Sequence, residues 1–250
     1  MKKTWQTALV VGASSGIGAA LVKRLAAQGC RVAAVARRSD ELENVAVGAN
    51  AAGGGGEVLS YVSDVDQPQL VSELFATITG DLGGLDLVIY AAGVMHPVQF
   101  EEFDTAKDLQ MLRTNLLGAV AWLNPAAQRF GRLKKGTIVG IGSVAGDRGR
   151  SGSPVYNTSK AGLHTYLEAL RNRVGRYGVK VVTIKPGFVD TAMTKGLPGL
   201  FWLISADRAA EIILKKARKG AVTAYVPARW RLVMLIIRSM PSFIFRRLKV

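Results

Sequence analysis

Short apolar segments of strand length alternate along the chain with longer amphipathic segments of helical length. Parallel strands need a crossover between them, and a helix is the usual crossover, so this alternation predicts helices on both faces of a parallel sheet. We expect one α/β domain over residues 1–250, with a doubly wound parallel sheet of about seven strands. The predicted strands are 8–11, 32–35, 58–62, 87–90, 138–141, 179–184 and 224–226, and the clearest predicted helices are 18–28, 69–79, 106–130 and 158–177.

A glycine-rich turn, VVGASSGIG, follows the first predicted strand and leads into the first predicted helix. Gly12, Gly16 and Gly18 remove the Cβ atoms that would block a tight turn and the approach of a pyrophosphate to the free N–H groups of the helix start. The spacing is G-x-x-x-G-x-G rather than G-x-G-x-x-G, but a turn at this place is typical of dinucleotide binding. The sequence therefore predicts a Rossmann-type fold.

Tyr156 and Lys160 stand four residues apart in the stretch SPVYNTSKAGLHTYLEALRNRV. On a helix this spacing places both side chains on one face, one turn apart. An ammonium group close to a phenol lowers the phenol pKa from its ordinary value of about 10, so the pair could act as a general acid and base near neutral pH. Many helices carry the same spacing as a solvated pair, so this interpretation depends on the other motifs of the chain.

The contents of cysteine and histidine argue against thiol and metal chemistry. Cys30 is the only cysteine, and His96 and His164 are the only histidines. An intrachain disulfide cannot form, and we expect no metal site. The apolar run near the N-terminus is too short for a signal peptide, so we expect the chain to stay in the cytoplasm.

Several ordered motifs resemble those of the short-chain dehydrogenase/reductase family as far as residue 195. VVGASSGIG is similar to the family's TGxxxGIG turn, with Val11 in place of the usual threonine. SDV is similar to the segment that contacts the adenine, and YAAG to the NNAG motif, with Tyr90 and Ala91 in place of the asparagines. KPGFVDTAM is similar to the segment along the nicotinamide. The resemblance implies an oxidoreductase that interconverts a ketone and a secondary alcohol.

The resemblance also implies the site residues. Tyr156 would exchange a proton with the substrate oxygen, and Ser143 would hydrogen-bond that oxygen. Lys160 would hold the cofactor ribose and lower the tyrosine pKa, and Asn115 would position a water that links Lys160 to solvent. These four are the implied catalytic set. The implied cofactor contacts are Gly12, Ser14, Ser15, Gly16, Ile17, Gly18, Arg37, Asp64, Val65, Ala92, Gly93, Tyr156, Lys160, Pro186, Gly187, Val189 and Thr191.

The choice between NADP and NAD depends on the end of the second predicted strand, VAAVARRSDEL. An acidic residue there would bind the ribose 2′-OH of NAD, whereas a cation favours the 2′-phosphate of NADP. Ala36 occupies the expected acidic position, Arg37 follows it, and Arg38 could assist. We expect NADP(H) to be preferred over NAD(H), although two arginines at a solvated helix start would give the same sequence.

The last fifth of the chain is both basic and apolar. Of a net charge of +15, eleven basic residues against two acidic ones lie after residue 200. TKGLPGLFWLIS predicts an apolar substrate lid at about 192–210, and PARWRLVMLIIRSMPSFIFRRLKV predicts a basic amphipathic tail at about 228–250. The apolar run of the tail is far shorter than the ~20 residues that span a bilayer. We expect membrane contact through Trp230, Phe243 and Phe245; packing on the protein itself or on a dimer partner is the alternative.

The substrate and partners follow from the resemblance and from the tail. SVAGDRGR, PGFVDTAM and the tail resemble reductases of a 2-keto-pentose carried on a polyprenyl phosphate, so we expect a lipid-linked ketone. Reductases of 3-oxoacyl chains or of 3-ketosphinganine would use the same features. A non-catalytic NADP-sensing protein and a peripheral membrane scaffold are alternatives of another class. We expect a homo-oligomer by family resemblance, a position at the inner face of the membrane, and no nucleic-acid binding, because the chain lacks a recognition motif.

Overall fold

A sheet of parallel strands forms the centre of the protein. The computed structural model describes residues 5–197 and 199–248. Its strands are β1 (Thr7–Val11), β2 (Arg31–Ala36), β3 (Glu57–Val62), β4 (Leu87–Tyr90), β5 (Thr137–Ile141), β6 (Lys180–Pro186), β7 (Val189–Asp190), β8 (Ile204–Ser205) and β9 (Thr223–Val226). Its α-helices are α1 (Gly16–Ala26), α2 (Ser39–Ala51), α3 (Val71–Asp81), α4 (Thr105–Leu112), α5 (Gly118–Leu133), α6 (Pro154–Val174), α7 (Ala206–Arg218), α8 (Trp230–Ser239) and α9 (Ser242–Phe245).

The order of the strands confirms the predicted doubly wound sheet. Seven strands pair in parallel in the order β3-β2-β1-β4-β5-β6-β9, while β7 and β8 form a separate pair. The chain builds from β1 to one edge and then returns, so that β4 pairs with the other side of β1. The strand order therefore reverses between β1 and β4. In open α/β sheets, ligands bind in the crevice outside the carboxyl ends of the strands at such a point.

Helices cover both faces of the sheet, as the nearly continuous apolar strands require. On one face, α1, α2 and α7 contribute buried side chains that include Leu21, Leu42 and Ile213. On the other, α3, α5 and α6 contribute Phe75, Trp122 and Leu167, among others. Full burial of an aliphatic or phenylalanine side chain stabilises the folded state by about 1.5–3 kcal/mol. The two clusters therefore hold the loops at the carboxyl edge on a well-packed frame.

The segment 106–130, which the sequence predicts as one helix, is interrupted. α4 ends at Leu112, Arg113–Leu117 forms a π-helical turn, and α5 begins at Gly118. A π-helical turn inside an α-helix occurs frequently at functional sites. This one carries Asn115, a member of the implied catalytic set. The prediction of one continuous α-helix is wrong at this turn.

Two boundaries in the site region also differ from the prediction. α6 begins at Pro154 rather than at residue 158, so Tyr156 lies in its first turn. α7 begins at Ala206, where the Ser205 hydroxyl accepts a hydrogen bond from the backbone N–H of Arg208. Residues 206–210 of the predicted lid therefore belong to a helix, and the irregular part of the lid ends at β8.

The C-terminal helix α8 packs on the protein through one face. Trp230 is only 2% exposed, and its ring lies against Gly187, where an added Cβ would come within 1.9 Å of the indole nitrogen. The same ring contacts Phe188 and Phe201, with centroid distances of 5.6 and 5.1 Å. The prediction that Trp230 is a membrane anchor is therefore wrong, because the protein itself surrounds this ring.

An arginine fastens the other end of α8. The Arg148 guanidinium donates to the carbonyl oxygens of Ile237 and Met240 and lies 4.0 Å from the centre of the Phe245 ring. Carbonyls at a helix C-terminus lack helical partners, so a cation there satisfies them. Within the described ranges, no helix combines the length and the hydropathy that crossing a bilayer demands.

We expect Trp230→Ala to lower the free energy of unfolding by about 3–5 kcal/mol, because it removes a large buried ring and leaves a cavity. Leu232→Ala, on the exposed face of the same helix, should change it by no more than about 0.5 kcal/mol. Urea unfolding followed by circular dichroism measures both. Equal small losses in the two variants would contradict the packing described for α8.

Candidate active site

A cavity of about 650 Å³ lies at the carboxyl edge of the sheet. The residues that follow β1, β2, β3, β4, β5 and β6 all contribute to its wall, so it occupies the point where the strand order reverses. All of the implied cofactor contacts line it, namely Gly12, Ser14, Ser15, Gly16, Ile17, Gly18, Arg37, Asp64, Val65, Ala92, Gly93, Tyr156, Lys160, Pro186, Gly187, Val189 and Thr191. The structure thus gathers side chains from six loops around one space.

The glycine turn has the close contacts that a phosphate cradle requires. Gly12 has a positive φ of 89°, and a Cβ there would lie 2.3 Å from the backbone nitrogen of Ala92. A Cβ at Gly18 would lie 2.0 Å from the carbonyl oxygen of Gly12. Ser15 precedes α1 without capping it through its side chain. The first N–H groups of α1 can therefore bind phosphate oxygens, so the turn fits a dinucleotide.

Two arginines lie at the end of the cavity beyond β2. The Arg38 guanidinium donates to the hydroxyl oxygens of Ser14 and Ser15, at 2.9 and 2.8 Å. Arg37 forms an ion pair with Asp64 at 3.5 Å. An exposed ion pair of this kind contributes about 0–1 kcal/mol, so Arg37 can exchange its partner for an anionic ligand at little cost. Both arginines therefore lie at the cavity. The sequence alone had favoured Arg37 as the residue that binds the 2′-phosphate.

Ser143, Tyr156 and Lys160 form one wall of the cavity. Ser143 follows β5 and caps a short 3₁₀ turn, because its hydroxyl accepts a hydrogen bond from the Ala145 N–H at 3.1 Å. The Ser143 hydroxyl lies close enough to the Tyr156 phenol to influence its pKa. The Lys160 amine donates to the Ile141 carbonyl at 3.2 Å and lies 5.7 Å from the centre of the Tyr156 ring. Phenol, hydroxyl and ammonium thus meet in a buried corner.

Burial has the largest effect on the pKa values of Tyr156 and Lys160. It raises the pKa of Tyr156, and the nearby Ser143 hydroxyl opposes that rise. Burial also lowers the pKa of Lys160 to about 8. The sequence led us to expect a depressed tyrosine pKa, and that expectation is wrong for this structure. A buried phenol resists ionisation, and spacing alone does not reveal the cost of removing it from water.

Asn115 is fully buried behind this wall and does not itself line the cavity. Its amide oxygen accepts from the Val94 N–H at 2.8 Å, and its amide nitrogen donates to the Val94 carbonyl at 2.9 Å and to the Ser159 hydroxyl at 3.0 Å. A Cβ at Gly93 would meet both Asn115 and Lys160, at 3.3 and 3.2 Å. Asn115 therefore joins the π-helical turn to α6 beside Lys160.

Tyr90, which replaces an asparagine of the family motif, links β4 to the π-helical turn. Its phenol donates to the Thr114 carbonyl at 2.5 Å, next to Asn115 in the π-helical turn. A Cβ at Gly118 would lie 2.5 Å from the same phenol oxygen. The unusual residue at this position therefore still links the end of β4 to the helical segment.

A buried polar network that the sequence did not reveal lies behind Ser143. Asp147 accepts a hydrogen bond from the Tyr225 hydroxyl at 2.6 Å and forms an ion pair with Lys185. His164 lies 3.8 Å from the same carboxylate, and its Nε2 atom accepts from the Ser143 N–H at 3.4 Å. Burial and the nearby Lys185 lower the pKa of His164 to about 3, so the imidazole is neutral and can accept this bond. No local sequence motif predicts these contacts, because the residues that make them lie far apart in the chain.

Comparison with known proteins agrees with this geometry. A family model for short chain dehydrogenases matches residues 6–198. The chain belongs to the short-chain dehydrogenase/reductase family. The protein is thus an oxidoreductase of a family that uses a nicotinamide cofactor and acts on alcohols and ketones.

Relatives extend the similarity beyond the site. The chain is 36% identical to the 3-oxoacyl-[acyl-carrier-protein] reductase of Bos taurus over 190 residues, which are 75% of this chain and 77% of that protein. It is 33% identical to an uncharacterized oxidoreductase of Myxococcus xanthus over 244 residues, which are 97% and 95% of the two chains. The similarity to the second protein therefore includes the tail.

Solved structures share the fold. A short-chain type dehydrogenase/reductase from Mycobacterium marinum superposes with a TM-score of 0.79 at 26% identity, over 88% of this chain and 92% of that one. A short-chain dehydrogenase from Sphingobium yanoikuyae in complex with NADPH gives 0.81 at 22% identity, over 94% and 96%. The second likeness is one of fold alone.

Proposed function

We propose that the protein is an NADPH-dependent reductase that interconverts a ketone and a secondary alcohol. The observation that carries this proposal is the shared cavity. One wall holds the phenol of Tyr156 with Ser143 and Lys160, and another holds the glycine turn that fits a dinucleotide. A proton donor and a cofactor cradle on one space are what carbonyl reduction requires.

A bound nicotinamide cofactor supplies the hydride, and the protein supplies the proton. Tyr156 donates its phenolic proton to the substrate oxygen as the carbonyl carbon is reduced, and the Ser143 hydroxyl hydrogen-bonds the same oxygen. The phenolate must then recover a proton. We assign this return to Lys160, whose amine lies 5.7 Å from the centre of the Tyr156 ring and whose pKa burial lowers to about 8. Oxidation of an alcohol reverses these steps.

We expect Tyr156→Phe to lower kcat by at least about 10²-fold, because the substrate oxygen loses its proton donor. NADPH binding should stay close to that of the wild type. Stopped-flow oxidation of NADPH with a panel of ketones measures the first quantity, and fluorescence titration of NADPH measures the second. Tyr166→Phe is the matched control, since this tyrosine lies on the same helix but outside the cavity.

Two outcomes would count against the assignment. Turnover by Tyr156→Phe close to that of the wild type would remove Tyr156 as the proton donor. Tight NADPH binding by the wild type without oxidation by any ketone would favour a non-catalytic sensor instead.

The preference for NADP(H) over NAD(H) is supported by Arg37 and Arg38. Their guanidinium groups lie at the cavity end formed after β2, and a guanidinium binds a phosphate through paired, charge-assisted hydrogen bonds. Arg37 is held by a weak exposed ion pair, whereas Arg38 already bridges two serine hydroxyls. We infer that Arg37 binds the 2′-phosphate and that Arg38 assists.

Replacing Arg37 by Ala should reduce the ratio of kcat/KM for NADPH to that for NADH by about tenfold or more, since a hydrogen bond to a charged group contributes about 1.5–3 kcal/mol. Arg38→Ala should reduce the same ratio less. Steady-state kinetics with both cofactors measures the ratio, with Arg173→Ala as a control far from the cavity lining. A wild-type preference for NADH would defeat the assignment of the cofactor.

The substrate end of the cavity supports a substrate with an apolar portion. The apolar residues that line it are Met95, Phe188, Met193 and Leu197. Beside it, the Trp230 ring contacts the Phe201 ring at a tilt and the Trp202 ring edge to face. We propose a ketone on a lipid or a polyprenyl phosphate, such as a 2-keto-pentose, in keeping with the resemblance of the C-terminal half to decaprenylphosphoryl-2-keto-ribose reductase. Reduction of 3-oxoacyl chains is the second candidate, favoured by the bovine relative. A 3-ketosphinganine-type lipid ketone is a further alternative.

The outer face of the tail supports peripheral contact with an anionic membrane. Leu232, Leu235, Ile236 and Phe243 are exposed there. Arginines at 231, 238, 246 and 247 accompany them. Exposed apolar groups beside basic ones suit the interface of an anionic bilayer. We propose that the protein acts at the inner face of the membrane; association into a homo-oligomer stays a prediction from family resemblance.

The double variant Leu235→Ser/Ile236→Ser should bind vesicles of phosphatidylglycerol and phosphatidylcholine several-fold more weakly than the wild type, as about 1–2 kcal/mol of apolar contact is lost. Val62→Ser changes an equally exposed apolar residue far from the tail and is the control. Vesicle co-sedimentation measures both. Equal binding by all three proteins would contradict membrane contact through this face.

A further inference from the structure

Arg150 is a cation of the substrate cavity that the catalytic set does not use. It lies in the loop between β5 and α6 and lines the same cavity as Ser143 and Tyr156. The side chain is half-buried. Its Nε atom is buried and has no hydrogen-bond partner among the residues that the structure describes. Buried polar atoms are nearly always hydrogen-bonded. Among the described arginines that line the cavity, Arg150 alone carries such an unpartnered atom, so its guanidinium has hydrogen-bonding capacity that the surrounding protein does not use.

The surroundings hold Arg150 in place. Its carbonyl accepts a hydrogen bond from the Asn157 amide at 3.2 Å, which fixes the loop to the helical turn that carries Tyr156. One of its terminal nitrogens lies 3.9 Å from the sulfur of Met234, on the inner face of α8. The Arg150 backbone is therefore anchored to the turn that carries Tyr156, and its guanidinium lies beside the C-terminal helix. A free surface arginine would have no such restraint.

The charges around Arg150 leave it uncompensated. The carboxylate of Asp147 attracts it, but Asp147 already binds Lys185 and Tyr225. Burial lowers the pKa of Arg150, which records the cost of placing this cation out of water. Among the described lining residues, the sole acid is Asp64, which pairs with Arg37 at the cofactor end. An anion brought by the substrate would restore the balance.

The position of Arg150 selects the kind of anion. Arg150 lies between Tyr156, where the carbonyl is proposed to be reduced, and an apolar region that contains Met234 and the rings of Phe201 and Trp230. A group bound here must join the reacting head to the apolar portion. A carboxylate ends a chain, whereas a phosphodiester is bonded on both sides and still carries a full negative charge. Its oxygens also match the planar fork of a guanidinium.

We propose that Arg150 is a specificity-determining residue that binds a phosphoryl group linking the ketone-bearing head of the substrate to an apolar chain. The proposal rests on the proposed function, because it takes the carbonyl to lie at Tyr156. It narrows the substrate class to phosphoryl-linked lipids and makes a neutral lipid ketone a poor substrate. Arg150 itself takes no part in proton transfer.

The test compares farnesyl phosphate with farnesol, which share one apolar chain and differ in the phosphoryl group. Both are titrated calorimetrically into the NADPH-saturated protein, with inorganic phosphate as a third probe. Wild-type protein should bind farnesyl phosphate at least tenfold more tightly than farnesol, about 1.4 kcal/mol. Arg150→Gln should bring the two affinities together and leave that for farnesol unchanged, and Arg150→Lys should restore part of the difference. Inorganic phosphate should bind much more weakly than farnesyl phosphate.

Arg173→Gln is the matched control, because it removes an arginine from the exposed side of α6 outside the cavity. It should keep the wild-type difference, and unchanged NADPH affinity and melting temperature show that Arg150→Gln is folded. Equal loss in the two variants, or no loss in Arg150→Gln, would overturn the proposal.

The proposed reduction can fail separately from this subsite. If the wild type reduces ketones while Arg150→Gln still distinguishes the two lipids, only the subsite is refuted. If no ketone is reduced but the preference for farnesyl phosphate depends on Arg150, the subsite stands and the proposed reaction falls.

Discussion

The close approach of the glycine turn to the end of β4 is the contact on which the site depends. Gly12 lies so near the backbone of Ala92 that a single Cβ would collide with it at 2.3 Å. Since the strand order reverses between β1 and β4, the loops that leave these two strands diverge to opposite faces of the sheet. The space between them is the cavity. A larger residue at Gly12 would separate the two strand ends and displace the glycine turn from the cavity wall that carries Ser143, Tyr156 and Lys160.

Two buried polar networks lie behind the cavity wall formed by Ser143, Tyr156 and Lys160. Asn115 connects Val94 and Ser159, and Asp147 connects Lys185 and Tyr225. Buried polar groups destabilise the folded state unless they are hydrogen-bonded, so such networks persist only where nearly every member has a partner. In exchange for this requirement, the networks hold the residues that they connect in defined positions. The Asp147 network reaches the Ser143 backbone through His164, and the Asn115 network lies beside Lys160. The proposed proton transfer requires the phenol and the hydroxyl to be held in place before the substrate arrives, and these networks would supply that support.

The features that could be predicted from the sequence are those that depend on local residue patterns. The strands follow from apolar runs, and the cradle follows from three glycines between a strand and a helix. The π-helical turn at Arg113–Leu117 could not be predicted, because hydrophobic periodicity does not register one extra residue in a turn. The Asp147 network joins side chains that are 38 and 78 residues apart in the chain, so only the folded protein brings them together. The pKa of Tyr156 depends on burial, and the i, i+4 spacing reveals the cation but not the loss of water.

The C-terminal helix relates the site to the surface. Along the ten residues of α8, about 15 Å of helix, side chains four apart share a face. Trp230 and Met234 accordingly point inward together, onto Gly187 and Arg150, while Leu232, Leu235 and Ile236 point outward. One helix thus covers the substrate end of the cavity with one face and offers an apolar surface with the other. If the outer face of α8 contacts a bilayer, a lipid chain bound at Arg150 lies about one helix diameter from the apolar interior of that bilayer. Under the proposed function, the basic tail would bring the protein to the lipid, and the half-buried Arg150 would hold the charged link between lipid and ketone.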